Sequence, residues 1–356
     1  MLKVTEHASL KPLNTFGIDG SVAMLVEWDS AADLDCFFSD CDDSRPDGPH
    51  LAIGQGSNLL FAAYDYDRVF LKCTNRDCVV VSCDGESSVS VLVGAGCPLD
   101  ELVEWSCRQQ MWGLENLSLI PGTVGGAAVQ NVGAYGAEFG DVVSEIYCYD
   151  THRRCEITLS RENACYGYRD SIFKHQVNPG QLVVTAVLIR LSLTPAPKLD
   201  YGNLRSRLAD RLGSLTPSDL REAVVATRRS KLPDVESTGS AGSFFKNPVV
   251  SQRKFLDVID VARSMGIDES DIPSYPAVDK FGDTAVKLSA AWLIDKSGWK
   301  GYRRWNVATW PSQPLVIVNA TGYASGIEVF SLATDIMSDI ERKWNIRLEP
   351  EVEFLF

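Results

Sequence analysis

Between Pro121 and Gly136 the chain reads PGTVGGAAVQNVGAYG, with glycines at 122, 125, 126, 133 and 136 among small residues and one polar pair, Gln130-Asn131. Ordering glycine costs more backbone entropy than ordering any other residue, so a fold that gathers this many uses the room they leave. Two uses fit: close packing of one backbone on another, or a cradle of amides for a diphosphate. The cradle is favoured, because the protein as a whole does not attract anions. Its 34 Lys and Arg stand against 47 Asp and Glu, a formal charge of −13, which argues against non-specific attraction to nucleic acid or to an anionic membrane. An anionic ligand must be met locally.

At 356 residues, 45% of them hydrophobic, the chain is long enough for two or three folded domains and does not have the composition of a disordered one. No apolar run approaches the ~18 residues of a membrane span, and the start MLKVTEHASLKPL lacks a signal-peptide core, so a cytoplasmic protein with no membrane partner is expected. The cysteines at 36, 41, 73, 78, 83, 97, 107, 148, 155 and 165 all lie in the first half and are too sparse for a disulfide scaffold. They read as free thiols. Cys73, Cys78 and Cys83 have no His or second C-x-x-C nearby, and no metal site is expected.

The first half alternates strand patterns with glycine turns. HLAIGQGSNLLFA reads as strand, loop, strand, with a tight hairpin as the plain alternative, and DRVFLKC follows as a further strand. SVSVLVGAG is a strand ending in glycines; a helix with Pro98 in its first turn follows over Leu99 to Cys107, and Val142 to Tyr149 and QLVVTAVLIRLSLTP are long strands. Prolines and serines around 195–220 mark a boundary. Beyond it lie a helix over 218–229, the loop TGSAGSFFKNP, a helix over 284–297 closed by Gly298, the strand PLVIVNA and a late helix. That last helix opens on an S-x-x-E capping box, Ser325 and Glu328, and keeps Val329, Leu332, Ile336 and Ile340 on one face. The end, IRLEPEVEFLF, is strand-like, with Pro350 confining it to an edge or a bulge. The class is α+β.

The only histidines are His7, His50, His152 and His175, so proton transfer in the second half must come from Ser, Tyr, Lys, Asp or Glu, with Arg as electrostatic partner. Gly54-Gln55-Gly56-Ser57-Asn58 is neither a dinucleotide fingerprint, lacking the third glycine, nor a P-loop, lacking Gly-Lys-Ser/Thr. Gly239 to Pro248 puts a hydroxyl, a cation and an amide beside two aromatics, and Thr227-Arg228-Arg229-Ser230-Lys231 adds cations at a helix end, where they complement the helix dipole or bind an anion. Arg169, flanked by aromatics in Tyr166 to Ser171, is a surface cation–π contact or a ligand group. Glu351, between apolar neighbours, is a solvated strand residue or part of a site. The residues alone indicate a phosphate-ligand enzyme that works without histidine.

The motifs IGQGSNLLF, SLIPGTVGGAAVQNVGAYG, YGYRDSIFK, RSKLPD, AGSFFKNP, KLSAAWLID and LEPEV occur in this order. Together they resemble the UDP-N-acetylenolpyruvoylglucosamine reductase (MurB) family, from Asn14-Thr15-Phe16 to Glu351. The resemblance implies an FAD-binding domain of the vanillyl-alcohol-oxidase/PCMH type in two subdomains, 1–72 and 73–217, and a C-terminal α+β substrate-binding domain, 218–356. It implies tightly bound FAD on Gly54, Gln55, Gly56, Ser57 and Asn58 and on Pro121, Gly122, Thr123, Gly125, Gly126, Asn131, Gly133 and Ala134. NADPH as co-substrate reduces the flavin and leaves, and the flavin then reduces UDP-N-acetylglucosamine enolpyruvate to UDP-N-acetylmuramate for peptidoglycan. The implied catalytic residues are Arg169, Ser243 and Glu351; Tyr168, Tyr201, Lys231, Asn247 and Gln313 are implied to bind substrate, with Tyr201 on a mobile loop. Ser240 stands where the family has Asn, and 303–312 matches poorly. A monomer without nucleic-acid partners is expected. The rival readings are an FAD-linked oxidase of the same fold and a non-catalytic regulator that binds UDP-sugar or flavin.

Overall fold

The computed structural model describes residues 2–39, 50–176, 180–279 and 281–356. The chain folds into two compact units: Met1–Leu13, Ser21–Gln55 and Asp65–Arg229 form the first, and Asn14–Gly20, Gly56–Tyr64 and Ser230–Phe356 the second.

In the first unit the strand Ser21–Trp28 lies between Lys3–Ser9, antiparallel to it, and Asp65–Cys73, parallel, with Leu51–Ile53 parallel beyond. Parallel neighbours need a crossover, and the helix Ala31–Ser39 lies on that path. It buries Leu34 and Phe37 with Met24, Val26, Trp28, Val69 and Leu71. A second sheet, ordered Cys155–Ser160, Val143–Asp150, Leu182–Ser192, Ser88–Gly94 and Cys78–Asp84, is antiparallel throughout. The helix Leu99–Arg108 packs Leu99, Leu102, Val103 and Cys107, one face at helical spacing, into a cluster with Val89, Val91 and Val93. Pro98 is its N-cap, one position earlier than expected. The glycine-rich stretch forms the short helix Val124–Gln130. The helix Pro217–Lys231 begins where the sequence opens the last domain, yet its Leu220 and Val224 are buried with Trp112, Leu199, Leu204 and Leu208, so the first unit extends to Arg229.

The second unit holds a sheet ordered Gly239–Ser243, Gln313–Asn319, Val307–Trp310 and Arg303–Arg304, and another ordered Val249–Ser251, Thr284–Leu288 and Ser274–Val278. The helix expected over 284–297 is a strand followed by a shorter helix, Ala290–Lys296, because Ser289 N-caps it, its side chain accepting from Trp292 N–H at 3.2 Å. An apolar run as short as AVKL does not distinguish strand from helix by period. The late helix is Gly326–Trp344 with the Ser325/Glu328 capping box formed, and Val329, Leu332, Ile336 and Ile340 are fully buried. At the C-terminus only Glu353–Leu355 is a strand, paired in parallel with Leu59–Phe61; Pro350 precedes it. The segment 54–58 is therefore no hairpin, since its flanking strands Leu51–Ile53 and Leu59–Phe61 join different sheets.

The nine described cysteines are unpaired, and Cys41 lies outside the described residues. Among the described residues no helix is long and apolar enough to cross a membrane, and no three His, Cys, Asp or Glu cluster to hold a metal.

Candidate active site

The two glycine segments differ in what their amides do. At the start of the Val124–Gln130 helix the donors are engaged inward: Gly122 N–H donates to Gln55 Oε1 (2.8 Å), Val124 N–H to the Cys97 carbonyl (2.8 Å), Gly125 N–H to the Ala95 carbonyl (2.9 Å) and Gly126 N–H to Thr123 Oγ1 (3.3 Å). Glycine serves close approach here; a Cβ on Gly54 would stand 2.6 Å from Thr123 Oγ1. In the 54–58 segment, by contrast, the N–H groups of Gln55, Gly56 and Asn58 donate to no acceptor among the described residues. Pro121 and Ala134 lie on the same glycine-rich segment, half-buried.

Arg169 sits on a tight turn closed by Gly167 N–H to the Asp170 carbonyl (3.0 Å) and Asp170 N–H to the Gly167 carbonyl (3.1 Å). Its φ of +56° is left-handed, an uncommon state for a residue with a side chain. Its Nη2 donates to the Gly133 carbonyl at 2.5 Å, and its Cζ lies 5.3 Å from the centroid of the exposed Tyr168 ring. A Cβ on Gly133 would stand 2.7 Å from Arg169 Nη1, so glycine there makes room for the guanidinium. Tyr201, also exposed, meets Tyr135 edge-on at 5.8 Å between centroids.

Arg228, in the same unit, keeps a rim of solvent contact while its Nε is sealed from solvent without a hydrogen-bond partner. Among the described residues it forms no ion pair. Asp100 does not neutralise it, being held by Arg221 through bonds of 2.5 and 3.0 Å. Burial pushes the Arg228 guanidinium below the usual arginine range, against the pull of Tyr135 and Asp100. Withdrawing a cation from water is costly unless an anion joins it. The sequence carried a signal for it: Leu220, Val224 and Arg228 recur every fourth residue, which puts the arginine on the buried face.

In the second unit, Ser243 ends the strand Gly239–Ser243 after a register irregularity between Ser240 and Ser243, and its side chain is exposed. Irregular registers re-aim side chains. Glu351 joins it: Glu351 N–H donates to the Phe244 carbonyl at 2.9 Å, and Asn58 Nδ2 donates to the Glu351 carbonyl at 3.1 Å. Phe244 and Phe245 are both buried, their ring centroids 5.2 Å apart. Lys246 Nζ approaches Glu349 at 3.9 Å. Asn247 Oδ1 accepts from Ala290 N–H at 3.0 Å. Gln313 begins the central strand Gln313–Asn319, and Lys231 is exposed at the end of its helix. The structure thus joins Ser243, Glu351 and Asn58 in one unit, and Arg169, Gly133 and the glycine segment in the other.

A family model described as FAD binding domain matches residues 23–151, and one described as UDP-N-acetylenolpyruvoylglucosamine reductase, C-terminal domain, matches residues 234–355. The chain is 40% identical over 352 residues to the UDP-N-acetylenolpyruvoylglucosamine reductase of Pseudomonas aeruginosa, covering 98% of each chain. It is 40% identical over 355 residues to that of Chromobacterium violaceum, again 98% of each. Among solved structures it is similar to UDP-N-acetylenolpyruvylglucosamine reductase from Thermus caldophilus, with a TM-score of 0.67, 22% identity, and 100% of this chain and 99% of that one covered. That likeness carries the fold.

Proposed function

The chain belongs to the UDP-N-acetylenolpyruvoylglucosamine reductase family, and we propose that it catalyses the NADPH-dependent reduction of UDP-N-acetylglucosamine enolpyruvate to UDP-N-acetylmuramate through FAD, in peptidoglycan synthesis. It acts as a cytoplasmic monomer on these two soluble substrates.

The residues present fit FAD. The unengaged amides of Gln55, Gly56 and Asn58 are donors of the kind that bind diphosphate oxygens. Gly54 and Gly133 stand where any Cβ would collide, and Arg228 offers a half-buried cation with no ion pair among the described residues. FAD held there would supply two-electron hydride chemistry between NADPH and C3 of the enolpyruvyl group.

The chain's own residues handle charge and the proton. As hydride reaches C3, negative charge builds on C2 and the adjoining carboxylate. Arg169 neutralises it, and a preorganised donor of this sort typically lowers such a barrier by ~3–4 kcal/mol. Ser243 Oγ–H gives its proton to C2 and regains one from solvent. An alcohol is a weak acid, so the transfer runs forward only because the carbanion-like C2 is a far stronger base than a carboxylate. Glu351 orients the hydroxyl and the substrate carboxylate. Lys231, Tyr201, Tyr168, Asn247 and Gln313 hold the UDP group.

The observation that carries this reading is the junction at Ser243: an exposed hydroxyl at the end of an irregular strand, with Glu351 fixed by its backbone to the next residue. The test is turnover with NADPH in deuterated water. A lactyl ether carrying deuterium at C2 is expected. Flavin reoxidation by oxygen alone, with no ether formed, would indicate an oxidase instead.

A further inference from the structure

Arg169 occupies the left-handed third position of the turn closed by Gly167 and Asp170, and where its guanidinium stands depends on what holds that turn against the rest of the protein. Asn131 is placed to do so. It caps the Val124–Gln130 helix, is itself left-handed at φ +43°, and is 1% exposed. Its carboxamide makes three bonds. Nδ2 donates to the Gly167 carbonyl (2.8 Å) and to Glu138 Oε2 (2.8 Å), and Oδ1 accepts from Gly140 N–H (3.0 Å). Both donors and the acceptor are thereby engaged inside the protein. Ser171 Oγ–H donates to the Val129 carbonyl at 2.6 Å, so the turn is tied at both ends to the segment around Asn131. Arg169 Nη2 reaches the Gly133 carbonyl, two residues beyond Asn131.

We infer that Asn131 is a positioning residue for Arg169: its carboxamide fixes the Gly167–Asp170 turn against the glycine-rich segment and so sets where the guanidinium stands. Its side chain serves the substrate step and does not contact the cofactor. This rests on the role proposed above for Arg169.

The experiment is a double-mutant cycle on the flavin-loaded enzyme, read as the anaerobic rate at which UDP-N-acetylglucosamine enolpyruvate reoxidises the reduced flavin. Asn131→Gly keeps the left-handed backbone and removes the carboxamide; Asn131→Asp keeps the acceptor for Gly140 but sets an oxygen against the Gly167 carbonyl, and serves if the glycine variant loses its flavin. Displacing a catalytic group by about 1 Å costs on the order of 100-fold, so a loss of about that size is expected in rate at saturating substrate, with the half-saturating concentration within a few-fold. In an Arg169→Ala background the Asn131 substitution should add nothing, because the group it positions is gone. A double variant slower than Arg169→Ala by the full Asn131 factor overturns the inference, as does an Asn131 variant within twofold of the parent. If Arg169→Ala alone leaves reoxidation unchanged, the role of Arg169 itself falls, and that arm identifies this failure separately.

Discussion

Glu351 and Phe244 are joined by a backbone hydrogen bond of 2.9 Å from the Glu351 N–H to the Phe244 carbonyl. Far apart in sequence, they tie the backbone at Glu351 to the residue that follows Ser243, and Phe244 and Phe245 are both buried.

In the function proposed above, Ser243 gives the proton to C2. Ser243→Ala should slow reoxidation of reduced flavin by enolpyruvyl substrate by ~10²–10⁴-fold, the usual range for losing a general acid, while reduction by NADPH stays within a few-fold. Stopped-flow absorbance separates the two half-reactions. Equal losses in both would remove Ser243 from the proton step.

Arg228 makes a prediction with two signs. Arg228→Met keeps the apolar stem and removes a half-buried charge that has no ion pair among the described residues. The flavin-free protein should therefore be as stable or more so, by up to ~1–4 kcal/mol. Flavin affinity should fall about 10–100-fold, as expected for a lost charge-assisted bond. Thermal melts of the apoprotein and flavin titration followed by fluorescence check both. Unchanged affinity would leave the cation without an anionic partner in this reading.

For Gly54 the effect is steric. Gly54→Ala sets a methyl 2.6 Å from Thr123 Oγ1, and overpacking of this kind costs ~1–3 kcal/mol. A lower melting temperature and lower flavin content are expected together, and a variant matching the parent in both would refute the close approach.

Asp100 supplies a pH dependence. Burial works to raise its carboxyl, but the Arg221 bonds and the Leu119 amide outweigh it and hold it below the usual carboxylate range. A depressed folded pKa contributes stability above the unfolded value near ~3.9, lost as pH falls through the lower folded value. Asp100→Asn should thus melt below the parent at neutral pH, with the gap closing in melts below about pH 4. A gap of constant size would contradict the assignment.

What the sequence disclosed was local. The Ser325/Glu328 capping box and the apolar face behind it need one helix to be recognised, and both formed. Arg228 was not separated from its neighbouring cations, although its four-residue spacing from the buried Leu220 and Val224 was a signal that could have done so. Non-local pairing was not legible. Nothing near GQGSN says that Leu51–Ile53 and Leu59–Phe61 join different sheets, because their partners lie elsewhere in the chain. TAVKL followed by SAAWLID reads as one helix until the hydroxyl of Ser289 is seen capping the second part. Asn131 shows the same limit at the site. The partners of its amide, Glu138, Gly140 and Gly167, come together only in the fold.

The most direct test of the whole account follows the flavin absorbance of the purified protein anaerobically, adding NADPH and then UDP-N-acetylglucosamine enolpyruvate. The account predicts bleaching by NADPH and full recovery on the enolpyruvyl substrate without oxygen. A flavin that bleaches but recovers only when oxygen is admitted, or a protein that binds no flavin, would contradict it.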